Sequence, residues 1–194
     1  MTRIEAKNNL CNYLKRNQIP FEENIDNRAI QLTMVYKAYY NCPNKVIESC
    51  IWMYKDSMEV RVYYSEMASE IFEKSKYKME LYRLINFINA CVWPSVCDGA
   101  NNTLYQPECL HKPVLYVTED GYNDITLTSF IKYDFYEQAP LETEDYITVC
   151  CPEFLNTLSI FIFKVLLGNI TSEEAIEHIK KDVLEDRKDI LWYM

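Results

Sequence analysis

Apolar periodicity predicts an antiparallel α+β fold: one sheet, made of a three-stranded meander and a later hairpin, with helices packed on one face in the order α-β-β-β-α-β-β-α-α. Three observations predict it. Ile30, Leu32, Met34 and Tyr36, and again Val60, Val62 and Tyr64, fall at alternate positions, the period of a half-buried strand. Leu81, Leu84, Ile85, Ile88 and Val92 share one helical stripe. Residues 154–167 are apolar nearly all round and stop at Gly168, the residue type that closes helices.

The elements follow in order. Thr2-Arg3-Ile4-Glu5 has capping-box spacing, and Ile4, Leu10, Cys11 and Leu14 continue a helix over 3–16 until Ile19-Pro20 stops it. The first strand begins at Ala29, and Asn41-Cys42-Pro43-Asn44 reads as a turn. Residues 47–54 and 59–64 form a hairpin around Lys55-Asp56-Ser57-Met58. Residues 65–75 are mixed, a short helical turn or an extended connection. The second helix ends at Trp93-Pro94, and residues 95–110, polar with Gly99 and Pro107, read as an exposed insertion. A second hairpin, 114–118 with 124–133, turns at Glu119-Asp120-Gly121-Tyr122, where glycine supplies a positive φ. An acidic loop containing Pro140 follows, and Cys151-Pro152-Glu153 opens the apolar helix with proline in its first turn. A last helix starts at Thr171 or Ser172, with Glu174 three residues after Thr171, and runs to about Arg187. Residues 1–170 are read as one domain with an insertion near 94–112, and 171–194 as a helical extension.

Composition narrows the function. The chain has 194 residues and only 3 glycines, Gly99, Gly121 and Gly168, too scattered to form a phosphate-binding loop. A net charge of −9 and a pI near 4.8 repel phosphate backbones and anionic lipid alike, so neither nucleic acid nor membrane is the expected partner. Between Thr118 and Asp145 eight carboxylates (Glu119, Asp120, Asp124, Asp134, Glu137, Glu142, Glu144, Asp145) face Lys132 alone. Such a run is ordinarily a solvated face; as a surface it selects basic partners. The N-terminus has no apolar secretory core, and Cys50 and Cys91 sit in apolar runs, so a reducing cytoplasm and free core thiols are expected. The longest apolar stretch is short for a bilayer and has the length of a buried helix.

Chemistry-bearing residues are sparse. His178 lies in a charged last helix. Cys91, Cys97, Cys109 and His111 are the one set with zinc-ligand chemistry, but they lack the tight knuckle of structural sites and read first as ordinary thiols and a loop histidine. Cys150-Cys151 is a vicinal pair at a helix entry, where the dipole would lower a thiol pKa, yet burial as core is the first reading and redox pairs are usually spaced C-x-x-C. Asn86 and Asn89 flank the second helix's apolar stripe; the structural expectation is a side chain bonded to neighbouring backbone or a strand end.

Residues 82–89, with the N-x-x-N pair Asn86 and Asn89, the hairpin Leu115-Tyr116-Val117-Thr118-Glu119-Asp120-Gly121 and Ile125-Thr126-Leu127-Thr128, and the order of elements over about 3–168 resemble the YbjN family, itself similar in fold to type III secretion chaperones. The insertion at 94–112 and the helix after Gly168 depart from that pattern. The resemblance implies a domain that dimerises and binds proteins through apolar surface, with no catalytic residues to carry over. The expectation is a non-enzymatic protein-binding module, chaperone-like or regulatory, without cofactor, forming a homodimer through the helices near 81–92 and 153–167. Phe154, Leu158, Phe161, Ile162 and Val165 are its candidate contact residues. The alternatives are an immunity protein whose acidic stretch 118–145 neutralises a basic toxin, and a zinc protein using Cys91, Cys97, Cys109 and His111.

Overall fold

The computed structural model describes residues 1–25, 30–94, 96–97, 104–105 and 112–183. Helix α1 (Arg3–Arg16) begins on the expected capping box, with Thr2 Oγ1 accepting the Glu5 N–H and Glu5 accepting the Thr2 N–H. Four strands follow: β1 (Phe21–Ile25), β2 (Ile30–Lys37), β3 (Val46–Met53) and β4 (Ser57–Tyr64). Next come α2 (Glu66–Lys74), α3 (Lys78–Cys91), a two-residue pair β5 (Val96–Cys97) and β6 (Leu104–Tyr105), and the hairpin β7 (Val114–Val117) with β8 (Ile125–Lys132). The chain continues through α4 (Tyr133–Gln138), α5 (Pro140–Asp145), a π-helical turn Tyr146–Cys150, α6 (Cys151–Leu166) and α7 (Ser172–Asp182).

The main sheet is antiparallel with strand order β1-β2-β3-β4-β8-β7. The α+β class is as expected, and the element order is richer. Strand β1 precedes the meander, 66–74 is a full helix, and the acidic loop expected between the hairpin and Cys151 is helical. Strand β1 was invisible because four of its five residues are exposed and leave no alternation to read. Proline at the first turn of α5 is compatible with helix, so Pro140 starts an element there.

One face of the sheet carries Leu32, Ile51, Val60, Val62, Leu127 and Leu115, all buried. The helices cover it, with α6 against β4 and α2, α3 and α7 packed on α6. The other face presents polar and aromatic side chains, among them the buried Glu59, held by Arg61 Nε at 2.7 Å and Tyr54 OH at 2.9 Å. Helix α6 is tied down by polar contacts as well as packing: Tyr64 OH donates to the Leu155 carbonyl, Ser159 Oγ to Asn41 and Ser75 Oγ to Leu166, each at 2.6 Å.

Residues 140–166 run as one 27-residue helical stretch, apolar and long enough by composition to cross a membrane, but 67% of its most apolar window is buried in the rest of the chain. The stretch is longer than its sequence promised because the π turn continues α5 into α6. It ends as expected: Gly168 (φ 72°) follows, its N–H bonds Val165 and the Asn169 N–H bonds Lys164. Helix α7 opens on the Thr171–Glu174 capping box and buries Ala175 and Ile179 in the common core. It therefore closes the core as part of the same body.

Candidate functional site

A groove of about 1050 Å³ opens where the chain enters β1 from α1 and leaves β2, at the end of the sheet away from the Ile25–Ile30 pair. Its walls are the link Gln18–Pro20, the strand residues Phe21, Glu22, Thr33 and Val35, the loop after β2, and Glu153 and Asn156 of α6. Local chain chemistry makes this opening. Gln18 (φ 57°) turns the chain out of α1, and Pro20 has no N–H for the ladder, so pairing starts at Phe21 with Met34. Ala38 (φ 71°) turns the chain away after β2. Both residues occupy the left-handed region, where a side chain costs about 1–2 kcal/mol, so each rim carries strain that the surroundings must hold.

The loop after β2 is fixed against α6. Tyr39 N–H bonds the Lys45 carbonyl at 3.2 Å, Cys42 N–H bonds Tyr39 at 3.0 Å, and Cys42 Sγ donates to Asn156 Oδ1 at 3.7 Å. Tyr36 and Tyr39 meet edge to face with ring centroids 6.4 Å apart, while Tyr40 is 74% exposed beneath Lys45 Nζ, 5.1 Å from its ring centre. Burial drives the Tyr36 and Tyr39 hydroxyls far above their ordinary value and the Cys42 thiol up to about 11, so all three are neutral at physiological pH. The groove offers flat aromatic surface and neutral hydrogen-bonding groups, with Glu22, Lys37 and Glu153 as its charges. That chemistry suits binding.

A second cavity of about 450 Å³ lies at the same end of the sheet, lined by Glu48, Glu66, Glu70, Glu73 and Asp124. Burial raises the Glu48 carboxyl, and Asp124 and Glu66 push it further. Glu48 pairs across the ladder with Val35 of the groove, so the acidic cavity begins one strand away.

The residues singled out from the sequence are placed as follows. Phe154, Leu158, Phe161, Ile162 and Val165 are all core, at most 8% exposed. Helix α6 is covered within its own chain and shows solvent mainly Thr157, Ile160 and Lys164, with Leu167 exposed just past its end. The acidic run 118–145 is divided. Asp120 sits in a turn, Glu137 binds the N-terminal amine at 2.6 Å, Asp145 accepts from Tyr13 OH at 2.7 Å, and the buried Glu144 accepts from Tyr136 OH at 2.7 Å. Cys91 is buried, only the backbone of Cys97 is described, in β5, and Cys109 and His111, with Gly99, lie outside the described residues. Among the described residues no group of three or more His, Cys, Asp or Glu could hold a metal. Cys150 and Cys151 lie within the continuous helical stretch, not at its entry, and burial raises both thiols, Cys150 to about 12.

Asn89 does what a strand-end partner would do. Its Nδ2 donates to the Leu115 carbonyl and its Oδ1 accepts the Leu115 N–H, both at 2.9 Å. Sequence reasoning missed the groove and the acidic cavity, since each gathers residues distant in the chain; the one local hint was Ile19-Pro20, a helix stop directly before an unassigned strand.

No protein family, curated protein or solved structure matches the chain.

Proposed function

We propose that this protein is a non-catalytic protein-binding module, chaperone-like or regulatory, that receives its partner in the groove at the start of β1 and the end of β2. The observation that carries the reading is an aromatic-walled opening held by two strained non-glycine residues, Gln18 and Ala38, beside three tyrosines. Tyrosine is enriched at protein interfaces because it offers large area with a polar tip. A role of this kind agrees with the resemblance to secretion-chaperone folds, with the contact moved from α6, whose apolar side chains are spent in the core, to the groove. A reducing compartment fits the six buried free thiols among the described residues.

A second reading, neutralisation of a basic toxin, is supported by the acidic cavity, to which the run 118–145 contributes Asp124. One experiment separates the two: selection of a displayed random-peptide library on the full chain, with clones re-tested on a Tyr39→Ala/Tyr40→Ala variant and a Glu66→Lys/Glu73→Lys variant. Clones that lose the tyrosine variant are expected. Clones that lose only the lysine variant favour the second reading, and no enrichment overturns both.

A further inference from the structure

The two outer strands of the sheet are finished differently. The Tyr54 N–H bonds the Ser57 carbonyl at 2.8 Å, which makes Tyr54 and Ser57 a hydrogen-bonded pair of the β3–β4 hairpin. Antiparallel ladders alternate, so this one pair sets the direction of every backbone group in the sheet. Carried through β4 and β8, it turns the Leu115 N–H and C=O outward from β7, where Asn89 meets both. Carried through β3 and β2, it turns the N–H and C=O of Phe21, Glu23 and Ile25 outward from β1. Among the described residues no backbone group or side chain bonds these outward groups, and residues 22–25 are exposed.

We infer that the outer edge of β1 accepts an extended, basic strand from another protein, paired along Phe21–Ile25. The inference rests on the protein-binding reading and names the partner's chemistry. Backbone pairing supplies the affinity of such strand addition, and side chains at alternate positions supply the choice of partner.

Charge decides the occupant. A second copy pairing antiparallel about its centre sets Glu23 against Glu23; a shift of one hydrogen-bonded pair sets Glu22 against Glu22 in one direction and, in the other, Asn24 against Asn24 with pairing confined to Glu23–Ile25 of the strand. A partner strand with Lys or Arg opposite Glu22 meets an exposed carboxylate that has no ion pair among the described residues, whereas Glu23 is already held by Lys7 Nζ at 3.1 Å. Phe21 and Glu22 also line the groove, so edge and groove form one continuous surface.

The test is fluorescence anisotropy of the full chain with a labelled peptide, acetyl-Thr-Val-Lys-Val-Lys-Val-Thr-amide, its Lys→Glu counterpart, and two N-methylated forms. N-methylation of the three valines removes the donors that face β1; N-methylation of the two lysines leaves them. The lysine peptide is expected to bind about fivefold to tenfold more tightly than the glutamate one, with the order reversed by Glu22→Lys. Methylated valines should abolish binding, and methylated lysines should leave it. Equal binding of both charge types, or indifference to which amides are methylated, overturns the inference while leaving the groove reading standing. A dimer by sedimentation that Glu22→Lys disrupts also overturns it, because the occupant is then a second copy. Loss of the tyrosine-dependent clones above would instead remove the groove reading.

Discussion

Strands β7 and β1 bound the same sheet and meet water by opposite means. At β7 a single amide from α3 imitates a neighbouring strand, giving the Leu115 N–H an acceptor and its carbonyl a donor. At β1 the equivalent groups of Glu23 have no partner among the described residues, and charge and a short length guard them. Helix α3 closes the β7 edge through the Asn89 amide, whereas α1 meets β1 through the side-chain pair Lys7–Glu23 and leaves its outward backbone groups unpaired among the described residues. In this fold the helical layer reaches β7 through α3 and leaves the β1 corner as a groove.

The largest test strikes the layer under both edges. Leu158→Ala removes a fully buried side chain from α6 and should cost about 2–5 kcal/mol by urea denaturation, the cost of an unfilled core cavity. If α6 instead served as a partner surface, the loss would be small and would appear in binding. Asn89→Leu comes next, at about 1–3 kcal/mol, because it strands a part-buried donor and acceptor at Leu115. It should also promote self-association by opening β7, while Asn86→Ala, exposed on the same helix, should move stability by no more than about 0.5 kcal/mol.

A pH scan separates the edges from the helical layer. Burial holds the Glu144 carboxyl above its ordinary value, against the lowering hydrogen bond from Tyr136. The folded chain therefore keeps the Glu144 proton more tightly than the unfolded chain. The resulting stability is complete below the ordinary carboxylate range and is lost as pH rises through the raised value. Unfolding midpoints across mildly acid pH should show this decline in the wild type and a flatter profile in Glu144→Gln. The smallest effect lies at the groove: Ala38→Gly relieves a left-handed alanine and should raise stability by about 0.5 kcal/mol, whereas a loss would mean that Ala38 is unstrained.

Local chemistry was legible in the chain and long-range assembly was not. The capping boxes at Thr2 and Thr171, the stop at Gly168 and the positive φ of Gly121 (95°) are each set by a few adjacent residues. Asn89 was readable as a backbone partner because an asparagine beside an apolar stripe needs a reason, although its target was not. Strand β1 carries no periodicity, and α4 and α5 looked like loop because their carboxylates hide a helical run that Tyr133, Tyr136 and Thr143 bury. Helix α6 reads from the sequence as apolar nearly all round, and Thr157 and Lys164 lie on its exposed side. Its extra faces are met by α2, α3 and α7 of the same chain, a fact of tertiary packing that no spacing encodes.

Native-state amide exchange at two residues tests the contrast most directly. The Leu115 amide, donated to Asn89, should be protected, and Asn89→Leu should remove that protection; the Glu23 amide should exchange freely in the chain alone and become protected when the basic strand peptide is added. A Glu23 amide already protected in the free, monomeric chain would contradict the open edge and with it the difference between the two sides of the sheet.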